Sequence, residues 1–288
     1  LFFKRHGGGG LAKLLEGKLI AAQLKDALVK KISASGKILH LSALQVGENP
    51  ASEVYIRSQK KNAEALGIEY VLHKLEQSIS QEELIGFIET LNKDLHVNGI
   101  IIQMPLPAHI DSKKISEHIA PAKDAEGMHP ANMGKIIFGK SKVLPCTAAA
   151  VMELINATGV DLKGRETVIV GHSEIVGKPL SLLLLDKLAT VTVCHIGTSS
   201  VGKLEEHVRR AEILIVAVGR AGLIKGEWVK EGAIVVDVGI NKVEDKIVGD
   251  VEFAEAEKRA SWITPVPGGV GPLTVVMLMR NLAECAGV

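Results

Sequence analysis

The chain is poor in the features that announce several common function classes. Its three cysteines, Cys146, Cys194 and Cys285, stand far apart with no CxxC pair and no Cys/His cluster. That distribution argues against a disulfide framework and against a zinc site, and all three read as reduced thiols. Neither sign of charge dominates: 34 Lys and Arg face 33 Asp and Glu, without a long run of either. A polyanion-binding surface has no electrostatic footprint here, so nucleic acid and anionic membrane are not expected partners. No apolar stretch approaches the roughly 20 residues that span a bilayer, and no solenoid-type repeat is visible. What remains is a globular protein acting on a small molecule. Its 288 residues, 47% apolar, suffice for two modest domains sharing a cleft.

The opening LFFKRHGGGG carries two basic residues and four glycines, a composition expected to be flexible, and residues 1–14 are set outside the fold. From Leu15 to about Ile32, apolar residues at Leu19, Ile20, Ala22, Leu24, Leu28 and Ile32 recur at helical spacing. A buried strand over 38–45, a helix over 52–66, a strand over 69–75, a helix over 81–92 and an apolar strand over 99–103 follow. This alternation predicts a parallel α/β lobe. Met104-Pro105-Leu106-Pro107 ends the last strand, because proline supplies no ladder donor. The chain must therefore turn out at the carboxyl end, where open α/β sheets place ligands. Residues 124–145 read as an irregular Gly- and Pro-punctuated loop, followed by a linking helix over 147–158.

The second half repeats the alternation, with strands over 167–170, 190–194, 213–217 and 233–238 and helices from Pro179 and around Leu204. It reads as a Rossmann-like lobe over 149–272. The first lobe covers 15–148 and is completed by a last helix over 273–288 that returns to it. After Val170 comes Gly171-His172-Ser173-Glu174-Ile175-Val176-Gly177, a tight turn into a helix. Free backbone N–H groups and the helix dipole suit a pyrophosphate there, although glycine also serves strand-to-helix turns that bind nothing. About 20 residues on, an acid favours NAD and an arginine NADP. The chain offers Cys194-His195-Ile196 instead.

Further segments carry a resemblance: Tyr55-Ile56-Arg57-Ser58-Gln59-Lys60-Lys61, Gly99 to Pro107, Lys123-Asp124-Ala125-Glu126-Gly127, Pro145-Cys146-Thr147, Asp237-Val238-Gly239-Ile240-Asn241, Gly249-Asp250-Val251, and Ile263 to Pro272 with its Pro267-Gly268-Gly269 turn. In this order they resemble the methylene-tetrahydrofolate dehydrogenase/cyclohydrolase family over nearly the whole chain from about residue 15. The resemblance implies a folate substrate held between the two lobes, a nicotinamide nucleotide and a homodimer; the expected location is cytoplasmic, with an organellar matrix as the alternative. It implies substrate contacts from Tyr55, Gln103, Glu126, Pro267, Gly268 and Gly269, with Tyr55 stacked on the folate's aromatic portion. Nucleotide contacts are implied for Gly171, His172, Ser173, Ile175, Val176, Gly177, His195, Ile196, Gly219, Gly239 and Ile240. No metal is expected.

The sequence also departs from the family's pattern. Bifunctional members carry a lysine four residues after the tyrosine, where this chain has Gln59. Hydrolysing a methenyl bridge needs a group that moves protons, for which a lysine of depressed pKa is suited and glutamine is not. Lys60 and Lys61 are rotated from that face by about 100° per step. The pterin-anchoring aspartate is Glu126 here, one methylene longer, and Gln103, which would orient the lysine, is left to bind substrate or Gln59. Arginine and serine of NADP-using members are His172 and Ile196, which favours NAD over NADP. A proline and a glycine expected in the linking helix are Ala148 and Ala150. Cys146 has no paired base and reads as a structural thiol. Catalytic roles are thus expected of Tyr55, Gln59, Gln103 and Glu126 in a dehydrogenase. The alternatives are a bifunctional dehydrogenase/cyclohydrolase with another group such as Lys60 in the hydrolytic role, and a silent folate- or nucleotide-binding homologue.

Overall fold

The computed structural model describes residues 11–288. In chain order these form β1 (Lys13–Leu14), α1 (Gly17–Ser35), β2 (His40–Val46), α2 (Pro50–Ala65), β3 (Glu69–Leu75), α3 (Gln81–Lys93), β4 (Gly99–Ile102), α4 (Ser112–His118), α5 (Pro130–Ile137) and α6 (Cys146–Ala157). There follow β5 (Glu166–Val170), α7 (Gly177–Leu185), β6 (Thr190–Cys194), α8 (Ile196–Ser200), α9 (Leu204–Arg210), β7 (Ile213–Val216), β8 (Ile234–Asp237), β9 (Asn241–Val243), β10 (Lys246–Val248), α10 (Phe253–Arg259), β11 (Trp262–Ile263) and α11 (Val270–Cys285). They group into two compact units. One joins the segment up to Gly17 to Glu153–Gly271; the other joins Lys18–Met152 to Pro272–Val288.

The second of these units is built on a three-stranded parallel sheet of order β3-β2-β4. Side chains alternate between its faces with the two-residue period of a strand. Leu41, Ala43 and Ile101 pack with Leu28 and Ile32 of α1, Ala63 of α2, and Val275, Leu278, Met279 and Leu282 of α11. Leu44, Val46, Ile100 and Ile102 point the other way, onto Leu84, Ile88 and Leu91 of α3 and Ile115 of α4. Helices thus cover both faces, as a parallel sheet requires. The carboxyl ends of β2 and β4 are left for loops.

The other unit carries a six-stranded parallel sheet of order β1-β11-β8-β7-β5-β6. Val168, Val170, Leu214, Val216, Val235 and Ile263 are buried on one side of it. Its topology is the α/β alternation expected from the sequence, and β6 matches the predicted 190–194 in both bounds.

Several elements differ from the sequence reading. The 124–145 stretch is not wholly irregular, because α5 lies within it. Its N-cap His129 accepts from the Ala131 N–H at 3.0 Å, and Pro130 occupies the first turn, where its missing donor is harmless. Helix α4 is likewise capped, by Asp111 accepting from the Lys113 and Lys114 N–H groups. The antiparallel pair β9 and β10 was not foreseen. Residues 13–14, set outside the fold from their sequence, form β1 against β11, with Lys13 N–H donating to the Ser261 carbonyl at 3.0 Å and Leu15 N–H to that of Ile263 at 2.8 Å. The expected flexibility of residues 1–10 lies outside the described residues.

Candidate functional site

Helix α2 presents Ser52, Ile56, Gln59 and Ala63 inward, the i, i+3, i+4 stripe of a helix lying on a sheet. This puts Gln59 beside Gln103, which follows β4 and is tied to the sheet by its N–H donating to the Leu44 carbonyl at 2.8 Å. Gln59 Oε1 accepts from Gln103 Nε2 at 2.8 Å and from the Tyr70 hydroxyl at 2.8 Å. Its side chain also hydrogen-bonds the Tyr55 phenolic oxygen one turn earlier. The amide is 2% exposed and engaged at both ends, so it holds two phenols and a second amide in place and has no proton to exchange. Tyr55 is 38% exposed, with its ring available to a ligand. Burial, reinforced by its coupling to the neighbouring Cys146 and Glu126, holds its hydroxyl above the usual phenol range; burial does the same to Tyr70. Both remain phenols.

Glu126 reaches this group from the loop after β4. Asp124, 2% exposed, shapes that loop: its carboxylate accepts from the N–H groups of Gly127 at 3.0 Å, Met128 at 3.1 Å and His129 at 2.8 Å, and from Asn132 Nδ2 at 2.9 Å. Glu126 itself accepts from the Ile102 backbone. Burial and the neighbouring Asp124 charge push its carboxyl up to about 7, against that hydrogen bond. The site therefore holds a carboxyl that titrates near neutrality beside a neutral amide and two phenols.

Cys146 opens α6 with its thiol 3.7 Å from the carbonyls of Ala125 and Glu126. Burial and the nearby carboxylates drive its pKa well up, so it is a hydrogen-bonding thiol and not a nucleophile. Ala148 and Ala150 lie fully buried within α6.

In the six-stranded unit, the turn from β5 into α7 uses both of its glycines. Gly171 has φ +123°, and a Cβ there would overlap the Ala217 carbonyl; a Cβ at Gly177 would overlap that of Gly171. The backbone between them is held by Val176 N–H donating to Ser173 Oγ at 3.2 Å. His172, Ser173 and Ile175 are exposed, Val176 is buried, and α7 begins without a side-chain cap. An uncapped helix N-terminus behind a tight turn closed by two glycines is a cradle that fits a pyrophosphate. A Gly171→Ala variant is expected to lose about 3 kcal/mol of stability and nucleotide binding with it, read by urea unfolding and by a fluorescence titration.

His195, beyond β6, caps α8 by accepting from the Gly197 N–H at 3.1 Å. Its ring lies 5.2 Å from that of His172, centroid to centroid, and Ile196 is 78% exposed. Gly219 and Gly239 sit on loops organised by two buried acids. Asp250 accepts from the N–H groups of Val218, Gly219 and Arg220 at 2.7, 3.0 and 2.7 Å, and Asp237 from those of Gly239, Asp250 and Val251 at 2.9, 3.1 and 2.9 Å. Burial pushes Asp237 up to about 6 despite these donors. Ile240 is exposed beside Gly239. Beyond β11, Gly269 N–H closes the Pro265 to Gly269 turn at 2.9 Å, with Pro267 and Gly268 at its tip.

The structure thus brings Tyr55, Gln59, Gln103 and Glu126 together in one unit and the nucleotide candidates to strand carboxyl ends in the other. Lys60 and Lys61 are exposed, away from the buried amide. Sequence reasoning missed Tyr70, which needed the β3 register to be seen, and the supporting acids Asp124, Asp237 and Asp250, although all three lie in segments that carried the resemblance. A cavity of about 690 Å³ in the three-stranded unit is lined by Lys31, Lys142, Arg280, Glu284, Gly287 and Val288. None of these is an expected substrate contact. Among the described residues no helix is long and apolar enough to cross a membrane, and no acid, histidine and cysteine cluster is placed to hold a metal.

Two family descriptions match the chain: the catalytic domain of tetrahydrofolate dehydrogenase/cyclohydrolase over residues 15–126, and the NAD(P)-binding domain of the same enzymes over 145–287. The bifunctional protein FolD of Bacillus pumilus is 47% identical over 279 residues, which are 96% of this chain and 98% of that one. The crystal structure of bifunctional FolD from Campylobacter jejuni superposes with a TM-score of 0.92 at 45% identity, covering 96% of this chain and 99% of that one. The Trypanosoma brucei enzyme, solved with NADP and an inhibitor, gives a TM-score of 0.90 at 36% identity, covering 96% and 97%.

Proposed function

This chain belongs to the tetrahydrofolate dehydrogenase/cyclohydrolase family, and from that premise we propose that it oxidises methylene-tetrahydrofolate to methenyl-tetrahydrofolate with a nicotinamide nucleotide, with little hydrolysis of the product. The observation that carries this reading is the Gln59 amide, engaged at both ends by Tyr55, Tyr70 and Gln103. It stands where bifunctional members carry a proton-transferring lysine. Oxidation asks less of a titrating group: it needs an oriented substrate and polar groups that stabilise the cation as it develops.

In this reading Tyr55 stacks on the aromatic portion of the folate, and Gln103 and Glu126 hydrogen-bond its pterin. Pro267, Gly268 and Gly269 are assigned a substrate-facing backbone on the family resemblance. Gly171 to Gly177 hold the pyrophosphate, His172, His195 and Ile196 meet the adenosine ribose, and Gly219, Gly239 and Ile240 complete the nucleotide contacts. When bound, the nucleotide supplies the hydride acceptor. NAD is the proposed cofactor, supported by the absence of a guanidinium at 172 and by the apolar Ile196. A cytoplasmic homodimer belongs to the same reading and rests on the family resemblance.

A second reading, the bifunctional enzyme, is favoured by the activity named for the relatives and by a carboxyl at Glu126 that titrates near 7. The purified protein is assayed with methylene-tetrahydrofolate and either NAD or NADP, following reduced nicotinamide and methenyl product together. Nicotinamide reduction, faster with NAD, with methenyl accumulating above its uncatalysed decay is the expected outcome. Reduction without accumulation favours the bifunctional enzyme. No reduction with either nucleotide leaves only a silent binding protein.

A further inference from the structure

Glu126 is half-buried, and its usefulness to a substrate depends on a backbone that does not drift. The peptide following it is tied to Asp124 through Gly127, Met128 and His129. The peptide preceding it is tied elsewhere. Asn281, fully buried in the middle of α11, donates from Nδ2 to the Ala125 carbonyl at 2.9 Å and to the Leu144 carbonyl at 2.7 Å, with Cys146 Sγ at 3.5 Å. Its Oδ1 accepts from the Leu144 N–H at 3.3 Å.

One amide therefore joins three pieces of chain: the loop that carries Glu126, the 144–146 segment that opens α6, and the last helix. The loop and the 144–146 segment also lie directly against one another, since a Cβ at Gly127 would overlap the Leu144 carbonyl. The Cys146 thiol faces the carbonyls of both Ala125 and Glu126. A fully buried asparagine whose side chain is spent on backbone groups of a loop fixes that loop's position more than it adds to overall stability.

We infer that Asn281 is a positioning residue for folate binding, acting through the Ala125 carbonyl and Cys146 to set where the Glu126 carboxyl sits. The inference rests on the reading of Glu126 as the pterin contact. Helix α11 thus takes part in substrate recognition through its interior face, without touching substrate. The titration of Glu126 near neutrality makes the effect visible in a pH profile, because displacing the carboxyl alters both its burial and its distance from Asp124.

The test is Asn281→Ala, with steady-state kinetics across pH 5.5–8.5 and native-state hydrogen exchange. The KM for methylene-tetrahydrofolate is expected to rise about 10-fold, with the KM for nucleotide within about twofold of the parent. The acid limb of kcat/KM should shift, and the amides of Gly127, Met128 and His129 should exchange faster. Asn281→Ser, which keeps one donor, should recover part of each change. A folded Asn281→Ala protein with the parental folate KM and pH profile overturns the inference. If Asn281→Ala does not fold, Cys146→Ala removes the second tie. It is expected to raise the folate KM about threefold with the same displacement of the pH profile, and parental behaviour of this variant overturns the inference. Glu126→Gln separates the two claims: if it leaves the folate KM unchanged, the assignment of Glu126 is what fails. The clamp then stands or falls on whether the 127–129 amides exchange faster in Asn281→Ala.

Discussion

In a Gln59→Lys variant, hydrolysis of methenyl-tetrahydrofolate is expected to rise by about 100-fold or more, while nicotinamide reduction stays within a few-fold of the parent. The position is already surrounded by groups that a lysine amine needs. Tyr55 and Tyr70 offer phenolic oxygens, and Gln103, which now donates to Gln59 at 2.8 Å, can turn its amide to present an acceptor. The side chain at this position is 2% exposed. Burial disfavours an ammonium ion, so its pKa falls toward the working range and part of the population carries a free amine able to take a proton. Methenyl decay followed by absorbance in parent and variant decides it. A folded variant that oxidises methylene-tetrahydrofolate but hydrolyses no faster than the parent would remove Gln59 as the reason for a missing cyclohydrolase step.

Glu126→Gln is expected to raise the folate KM about 10- to 100-fold at pH 8, and by progressively less as the pH falls below about 7. The sign follows from the burial of the carboxyl, which raises it from an ordinary value of 4.5 to about 7. As a carboxylate it accepts charge-assisted hydrogen bonds from the N–H groups of a pterin. Below pH 7 the parent's group is increasingly protonated and comes to resemble the amide that replaces it. Stability moves the other way. Between pH 4.5 and 7 the unfolded chain has lost this proton while the folded chain keeps it, so raising the pH through that window destabilises the parent, by about 3 kcal/mol at most. The variant escapes that loss. Urea midpoints measured from pH 4.5 to 8 should coincide at the acid end and separate in favour of Glu126→Gln by pH 7. A constant difference across the range would show that the carboxyl is not the buried, late-titrating group described.

Much of this was legible in the sequence where a pattern was long or a residue type was forced. Strand β3 over 69–75 and strand β6 over 190–194 could be bounded from their apolar runs and flanking turns, and the outward turn after Gln103 from Pro105 and Pro107. Helices α4 and α5 were missed because they are short. Yet Asp111 ahead of one and His129-Pro130 ahead of the other are capping signals that could have been read as starts instead of loop punctuation. Strand β1 is too short to show any period; only the partner supplied by β11 makes it a strand.

Among the site residues, Tyr55, Gln59, Gln103 and Glu126 were accessible because the segments around them resemble the family's motifs, while helical spacing and the strand end only placed them in the fold. Tyr70 and Asn281 were not. Each is an ordinary residue within its element, and its meaning comes from a neighbour distant in sequence: the Gln59 amide across a strand register, and the Ala125 and Leu144 carbonyls against a returning helix.

That returning helix sets an order on assembly during synthesis. The three-stranded sheet leaves the ribosome early, but the Leu41, Ala43 and Ile101 face is incomplete until Val275, Leu278, Met279 and Leu282 of α11 arrive. Strand β1, made well before its partner, meanwhile waits for β11. The six-stranded unit, most of which follows Met152, has every partner it needs once Gly271 has emerged, whereas the three-stranded unit, most of which precedes Glu153, closes after it. A nascent chain therefore carries an open apolar sheet face from the emergence of β4 until that of α11, an exposure that molecular chaperones are suited to cover.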